Sequence, residues 1–377
     1  MLDQPAVLIA AASGRALAQS ARRGGFVPLV ADFFADQDTA ASAQAIVRLE
    51  HGLARGIDAE GLLAACETLA RSRRPIGVVC GTGFEDRPQL LARLGARWRL
   101  LGNDAQTVAR VKDPGAFAAL CRDCDIPHPD TLSSPPRGPE GWLAKRKGGA
   151  GGSHITRVGA HNAASDDIYF QRATPGVPIS ALFLADGRRA TTLGFSTQWA
   201  SPTAERTFRY GGAVRPAVLA LGVADQIAAA LRRLMQTIPL VGLNSADFLV
   251  DRDEFRLLEI NPRPGATLDV FDPVEGSLFA LHVAACEGRL AGAPPGFDGA
   301  CAAAIVYAEH DIAAVPAMHW PDWTADRPHA GVAIKAGEPL CTVKAAAATA
   351  AAARARVDER LAKVLATVHD WTHARMS

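Results

Sequence analysis

The chain has 377 residues, 49% of them hydrophobic and 21% charged, with 40 basic side chains against 39 acidic ones. That length calls for more than one domain, and a net charge of +1 argues against a polybasic nucleic-acid or membrane-surface binder. Only six of the basic residues are lysines: Lys112, Lys145, Lys147, Lys335, Lys344 and Lys363.

In chain order, residues 6–11 (AVLIAA) read as a buried strand, 14–24 as a helix and 26–31 as a second strand. No basic n-region precedes the first apolar run, so a core strand is expected there rather than a leader. A helix over 58–73, a strand over 75–80 ending in Gly81-Thr82-Gly83, and a helix over 86–95 complete a β-α-β rhythm. That rhythm predicts a parallel sheet whose crevice lies at the carboxyl ends of the strands. G-x-G-x-x-G does not follow the first strand, which argues against a nicotinamide cofactor.

A helix over 105–124 carries Lys112 near its middle, and the Pro/Gly-rich 133–141 is a linker. The strand 142–147 runs into GGAGGS (148–153) and a further strand at 154–158, a hairpin rather than the strand–loop–helix of a P-loop. Strands follow at 167–171, 179–184 and 190–195, then a helix at 222–237 and strands at 246–251 and 255–260. A Gly/Pro segment at 291–299, a strand at 302–308 and a long Ala/Arg-rich helix over 345–372 close the chain as a smaller α+β block. No window holds 18 uninterrupted apolar residues, which excludes an apolar membrane-spanning helix. Seven scattered cysteines, an odd number, point to a reducing cytoplasm. Cys121 and Cys124 lack a second ligand pair and are read as buried on one helix face.

The chemistry concentrates in LNSADFLVDRDEFRLLEINPRPG (243–265). Period-two alternation puts Glu259 and Asn261 on one strand face, and an antiparallel partner brings Asp247 beside them. Two carboxylates and an amide oxygen are hard ligands suited to Mg²⁺. Arg263 is expected to point toward the same place. The glycine loop supplies the complement: Gly148, Gly149, Gly151 and Gly152 let backbone N–H groups approach an anion, with Lys145 and Lys147 beside them.

These elements, in this order, resemble the ATP-grasp superfamily most specifically over about 105–270. The matching residues are Lys112, Lys145 with the GGAGG loop, Gln171-Arg-Ala-Thr-Pro-Gly176, and Asp247…Glu259-x-Asn261-x-Arg263. The resemblance implies an α/β ATP-grasp architecture. It has an N-terminal Rossmann-like, pre-ATP-grasp parallel-sheet domain (1–110), a lid (111–177), a core with the metal site (178–295) and a small C-terminal α+β extension ending in a long helix (296–377). It further implies that Lys112, Lys145, Lys147, the four loop glycines and Ser153 bind ATP phosphates. Gln171 and the backbone of Ala173 and Thr174 hold adenine. Asp247, Glu259 and Asn261 bind one or two Mg²⁺ ions, with Mn²⁺ as the alternative, and Arg263 and Lys145 act on the transferring phosphoryl group. A glutamate is usual where Gln171 stands, and an acid expected after Gly176 is replaced by Val177 and Pro178.

The implied reaction is ATP-dependent ligation of a small-molecule carboxylate to an amine through an acyl phosphate, in the cytoplasm, with no nucleic-acid or membrane partner and with a homodimer compatible. Arg206, Arg209 and Tyr210 are candidates for binding a carboxylate such as glutamate, or else ordinary loop residues. PISALFLADG, EINPRPGATLD and GVAIKAGEPLCTVKA look like the tyramine–glutamate ligase group, whose relatives are associated with pterin- and furan-type one-carbon cofactors. The alternatives are an ATP-grasp carboxylase acting on bicarbonate and a non-catalytic ATP-binding regulator. Against the carboxylase, Pro264-Gly265-Ala266-Thr267 stands where biotin carboxylases continue with a Gln-Val-Glu-His type run. Lys335, Lys344 and Lys363 are read as ordinary surface residues.

Overall fold

Short β-branched and apolar runs separated by amphipathic stretches give the first layer of the computed structural model, which describes residues 4–159, 165–272, 276–290 and 295–373. Strands β1 (Ala6–Ala10), β2 (Val27–Asp32), β3 (Ala45–Arg48) and β4 (Pro75–Cys80) form a parallel sheet in the order β3-β2-β1-β4. Helices α1 (Arg15–Arg23), α2 (Gln37–Ser42), α3 (Gly52–Arg55), α4 (Ala59–Ser72) and α5 (Gln89–Gly95) accompany it. One face of this sheet, with Leu8, Leu29 and Val78, packs on Leu62 and Leu69 of α4. The other, with Val7, Ile9 and Val30, shares a core with Leu182, Leu184 and Leu243 of the central sheet. β3 was not expected from the sequence.

The helix expected over 105–124 is broken into α6 (Ala105–Lys112) and α7 (Pro114–Asp123). Pro114 cannot continue the preceding ladder, and the Asp113 carboxylate caps the new helix by accepting from the Ala116 amide at 2.8 Å. Lys112 is therefore at a helix end, not in its middle. Cys121 and Cys124 are buried in the core of this region, and all seven cysteines are free thiols.

The glycine loop lies in a small antiparallel sheet, β5-β8-β6-β7, built from β5 (Thr131–Leu132), β6 (Trp142–Arg146), β7 (Ile155–Arg157) and β8 (Ile168–Arg172). The third sheet is larger. Its strands are β9 (Val177–Asp186), β10 (Ala190–Ala200), β11 (Tyr210–Arg215), β12 (Val241–Asp251), β13 (Glu254–Asn261), β14 (Ala300–Tyr307), β15 (Thr324–Ala325) and β16 (Pro339–Ala347). They run β13-β12-β9-β10-β11-β14-β16-β15, each antiparallel to its neighbour. Helix α8 (Val223–Met235) contributes Ile227, Leu231 and Leu234 to the core on one face. The short α9 (Leu268–Phe271) and α10 (Leu278–Cys286) contribute Phe271 and Phe279 to the core on the other.

The final block adds β14 and β16 to this same sheet, so its strands continue the central one. Helix α11 (Ala350–His373) covers them, with Val357 and Val364 in a core shared with Val306 and Val343. Residues 345–347, expected to open that helix, belong to β16. Residues 291–294 of the Gly/Pro segment lie outside the described residues.

Candidate functional site

The hairpin β12–β13 places Asp247 directly opposite Glu259 and Ser245 opposite Asn261, with a bulge after Asp247. The Asn261 amide donates to Asp247 Oδ2 at 2.9 Å and, more distantly, to Glu259 Oε1 at 3.5 Å. Lys112 reaches in from the end of α6 and donates to Glu259 Oε2 at 3.0 Å and Asn261 Oδ1 at 2.9 Å. Gln198 on β10, which carried no sequence signal, donates to Asp247 Oδ1 at 3.4 Å.

Burial and the neighbouring Glu259 push the Asp247 carboxyl up. Burial works against the Glu259 charge as well, but Lys112 and Lys145 outweigh it and hold that carboxyl below the usual range. Two carboxylates and an amide carbonyl from adjacent cross-strand positions form a donor set that fits Mg²⁺ or Mn²⁺. Among the described residues, no group of three or more His, Cys, Asp or Glu is gathered as a metal centre.

Across the cleft, the buried Lys145 on β6 donates to Gln171 Oε1 on β8 at 2.6 Å. Burial lowers its pKa, Lys112 adds to the effect, and Glu259 and Asp247 oppose it. The glycines are fitted to protein neighbours. Gly148 (φ +65°) lies on the backbone of Glu85 and Asp86, Gly149 lies against the His154 ring, and Gly152 against the Phe208 carbonyl. The Tyr210 amide donates to the Gly151 carbonyl at 2.9 Å. The small profile that was expected to admit an anion is thus used, at three of four positions, to seat the hairpin on the protein.

Of the expected site residues, Lys112, Gly148, Gly149, Gln171 and Glu259 line the cleft together with Arg146, His154 and Tyr169, whereas Lys145, Lys147, Gly151, Gly152, Ser153, Ala173, Thr174, Asp247 and Asn261 are not part of its lining. Ser153 is exposed. His128 and Phe117 form the apolar end, their rings edge to face at 5.3 Å. Burial lowers the pKa of both His128 and His154, the latter to about 4.

Three expectations need correction. The Ala173 amide already donates to the Gly141 carbonyl at 2.8 Å, so it is not free for an adenine edge, while Thr174 Oγ1 is buried without a partner. Arg263, expected to point toward the metal-type carboxylates, has Glu85 as its ion-pair partner. Its Nε donates at 2.6 Å to Glu85 Oε1, from the loop after β4. The proposed substrate trio divides. Arg209 is spent on Ser201, donating to its carbonyl at 2.9 Å, and stacks 3.8 Å over the Tyr307 ring; Arg206 is exposed at the loop tip. Tyr210, at the start of β11, is half-buried in the field of Asp269 and Asp247, and desolvation pushes its phenol up.

Sequence reasoning also missed the groups around Asp269. Arg15 Nη2 donates to Asp269 Oδ2 at 2.7 Å and Lys344 Nζ lies 3.2 Å from Asp269 Oδ1, so Lys344 is not an ordinary surface lysine. Arg15 follows Gly14, but its partner is 254 residues away and no local pattern announces it.

Residues 116–267 match the family model for an ATP-grasp domain. No curated protein matches the sequence. Among solved structures, an N5-carboxyaminoimidazole synthase from Aspergillus clavatus in complex with ADP and 5-aminoimidazole ribonucleotide superimposes with a TM-score of 0.68 at 13% identity, over 97% of this chain and 100% of that one. The N5-carboxyaminoimidazole synthetase of Staphylococcus aureus complexed with ADP gives 0.67 at 13% identity, covering 95% of this chain and 97% of its own. Biotin carboxylase from Campylobacter jejuni, as a β,γ-ATP complex, gives 0.68 at 14% identity, covering 94% and 90%. The chain therefore has the ATP-grasp fold, with an ATP-grasp domain at residues 116–267.

Proposed function

We propose that the protein is an ATP- and Mg²⁺-dependent ligase that joins a carboxylate to an amine and releases ADP and phosphate. The observation that carries this reading is the facing arrangement of Asp247, Glu259 and Asn261 with Lys112 and Lys145 beneath a glycine hairpin. Two half-buried carboxylates and two ammonium groups balance each other, so an arriving triphosphate can draw the lysines to its oxygens while a cation takes over the carboxylates. Mg²⁺, when bound by Asp247, Glu259 and Asn261, would neutralise phosphate charge.

In this reading a substrate carboxylate oxygen attacks the γ-phosphorus as the bond to the β,γ-bridging oxygen breaks, giving ADP and an acyl phosphate. The amine then attacks the acyl carbon, phosphate leaves, and the amine gives up a proton. Lys145, Lys112 and Arg263 stabilise the transferring group, the hairpin excludes water from the acyl phosphate, and Gln171 and Thr174 border the adenine. Tyr210 is the one member of the proposed substrate trio retained near the acceptor; Arg206 and Arg209 are not.

The narrower assignment, an amino-acid ligase of pterin- or furan-type cofactor synthesis, rests on the sequence segments quoted above. A second reading is favoured by the full-length likeness to carboxylases: the carboxylate is bicarbonate and the product a carbamate-type amine. Release of ADP from MgATP, measured with amino acids, with bicarbonate and with amines, tests both. ADP release that needs an amine and an organic acid supports the ligase, and release needing only bicarbonate and amine supports the carboxylase. MgATP binding without release under any pairing overturns both.

A further inference from the structure

The loop after β4, Gly81-Thr82-Gly83-Phe84-Glu85, ends in a carboxylate that is only 4% exposed. Its Oε2 accepts from the amides of Gly83 at 2.8 Å and Phe84 at 3.0 Å. Gly83 has φ +112°, a backbone conformation that glycine adopts without the strain another residue would carry. Held in this way, the carboxylate has one oxygen left, and Oε1 takes the Arg263 Nε–H at 2.6 Å. The pair joins the first sheet to the loop that leaves β13, across 178 residues of sequence.

Glu85 and Arg263 line one cleft together, beside Asn103, Pro262 and Pro264. Without Glu85, the half-buried guanidinium would lose the buried carboxylate that fixes its direction. The same loop also carries the backbone on which Gly148 of the hairpin rests, so the arginine and the lid share a support.

We propose that Glu85 is a positioning residue for Arg263: it fixes the guanidinium toward the transferring phosphoryl group. This rests on the ligase or carboxylase reading above, since both transfer the same phosphoryl group.

The test uses the full chain with MgADP alone and with MgADP plus aluminium fluoride, a mimic of the phosphoryl group in transfer. Wild type, Glu85→Gln, Arg263→Ala and the double variant are compared by calorimetry and by thermal unfolding. Glu85→Gln keeps the size of the side chain and an amide-accepting oxygen but removes the charge. The expected result is MgADP affinity within about twofold of wild type, aluminium fluoride trapping weakened tenfold or more in both single variants, and no further loss in the double variant.

A Glu85→Gln protein that traps aluminium fluoride like wild type would overturn the assignment. So would single-variant losses that multiply in the double variant, or a parallel drop in MgADP affinity and unfolding temperature, which marks a merely structural brace. Failure of the wild-type chain to bind MgADP at all would overturn the nucleotide reading and this inference with it.

Discussion

Lys145 and Lys112 occupy positions that arginine could not fill in the same way. Lys145 is buried with its ammonium on a single amide oxygen, and Lys112 spans two oxygens of different side chains. A planar fork is larger and fixed in its donor directions, so Lys145→Arg should fail to restore turnover where a charge alone would suffice. The decisive residue is Glu259, which both lysines face. Glu259→Ala should reduce steady-state ADP release on the order of 10²–10³-fold, as loss of one preorganised electrostatic group typically does, with the cooperative melt retained. Near-normal ADP release from that variant would remove the metal and phosphate assignment. Arg209 behaves differently: its bonds to Ser201 and its stack on Tyr307 predict that Arg209→Ala lowers stability by about 1–2 kcal/mol, measured by denaturant unfolding, while MgADP affinity holds.

At the scale of elements, the hairpin is the part whose position is set by fit. A Cβ on Gly148 would lie 2.5 Å from Asp86 Cα, and that neighbour is backbone, which cannot swing aside. Gly151 also has a positive φ, at +67°, but a Cβ there meets nothing within 4 Å. Gly148→Ala should therefore lift the hairpin off its seat. Displacements near 1 Å cost on the order of 10²-fold in turnover, whereas Gly151→Ala should carry only a backbone strain of about 1–2 kcal/mol. Equal turnover in the two variants, measured as ADP release, would remove the seating argument.

What the sequence made legible follows from the range of the interactions involved. The hairpin β12–β13 and its polar trio were readable because alternation and register are local, and β1, β2 and β4 because buried parallel strands are continuous apolar runs. β11 was read as loop because YGGAVR pairs two glycines with few strand formers, and the start of α11 was misplaced because alanine at 345–347 fits a helix as readily as the strand it joins. Glu85, Gln198 and Asp269 were invisible because each acquires its meaning from a partner 49 or more residues away.

At the scale of the molecule, the first sheet is tied to the end of the chain by a cluster of charge. Arg15 Nη2 donates to Asp326 Oδ2 at 2.8 Å, and Asp38 accepts from the amides of Asp326 and Arg327, each at 2.9 Å. The Gln37 amide donates to the Arg327 carbonyl at 2.9 Å, and His329 Nε2 lies 3.1 Å from the Ala35 carbonyl oxygen. In the middle sits Asp36, with Oδ2 buried and without a partner. Burial, then Asp326, Asp32 and Asp38, push its carboxyl up to about 8, with Arg15 opposing.

The folded chain thus holds a proton there that the unfolded chain has lost above the ordinary carboxylate pKa. Folding takes up a proton between those values, so this contribution to stability is full at low pH and disappears as pH rises through about 8. His154 and His282, both lowered to about 4, act in the opposite sense, but only below the unfolded histidine pKa. Asp247 adds to the fall only up to about 6, and buried thiols such as Cys66 act only above the ordinary thiol value. The interval from pH 6.5 to 8 therefore isolates the Asp36 cluster.

Over that interval wild-type unfolding free energy should decline by up to about 1.4 kcal/mol per pH unit, the limit for one proton. Asp36→Asn, which keeps the shape and removes the titration, should flatten that decline and be the more stable protein at pH 8. Denaturant melts at closely spaced pH values read both quantities. A slope that survives in Asp36→Asn would place the proton on another carboxylate and detach the junction's pH response from Asp36.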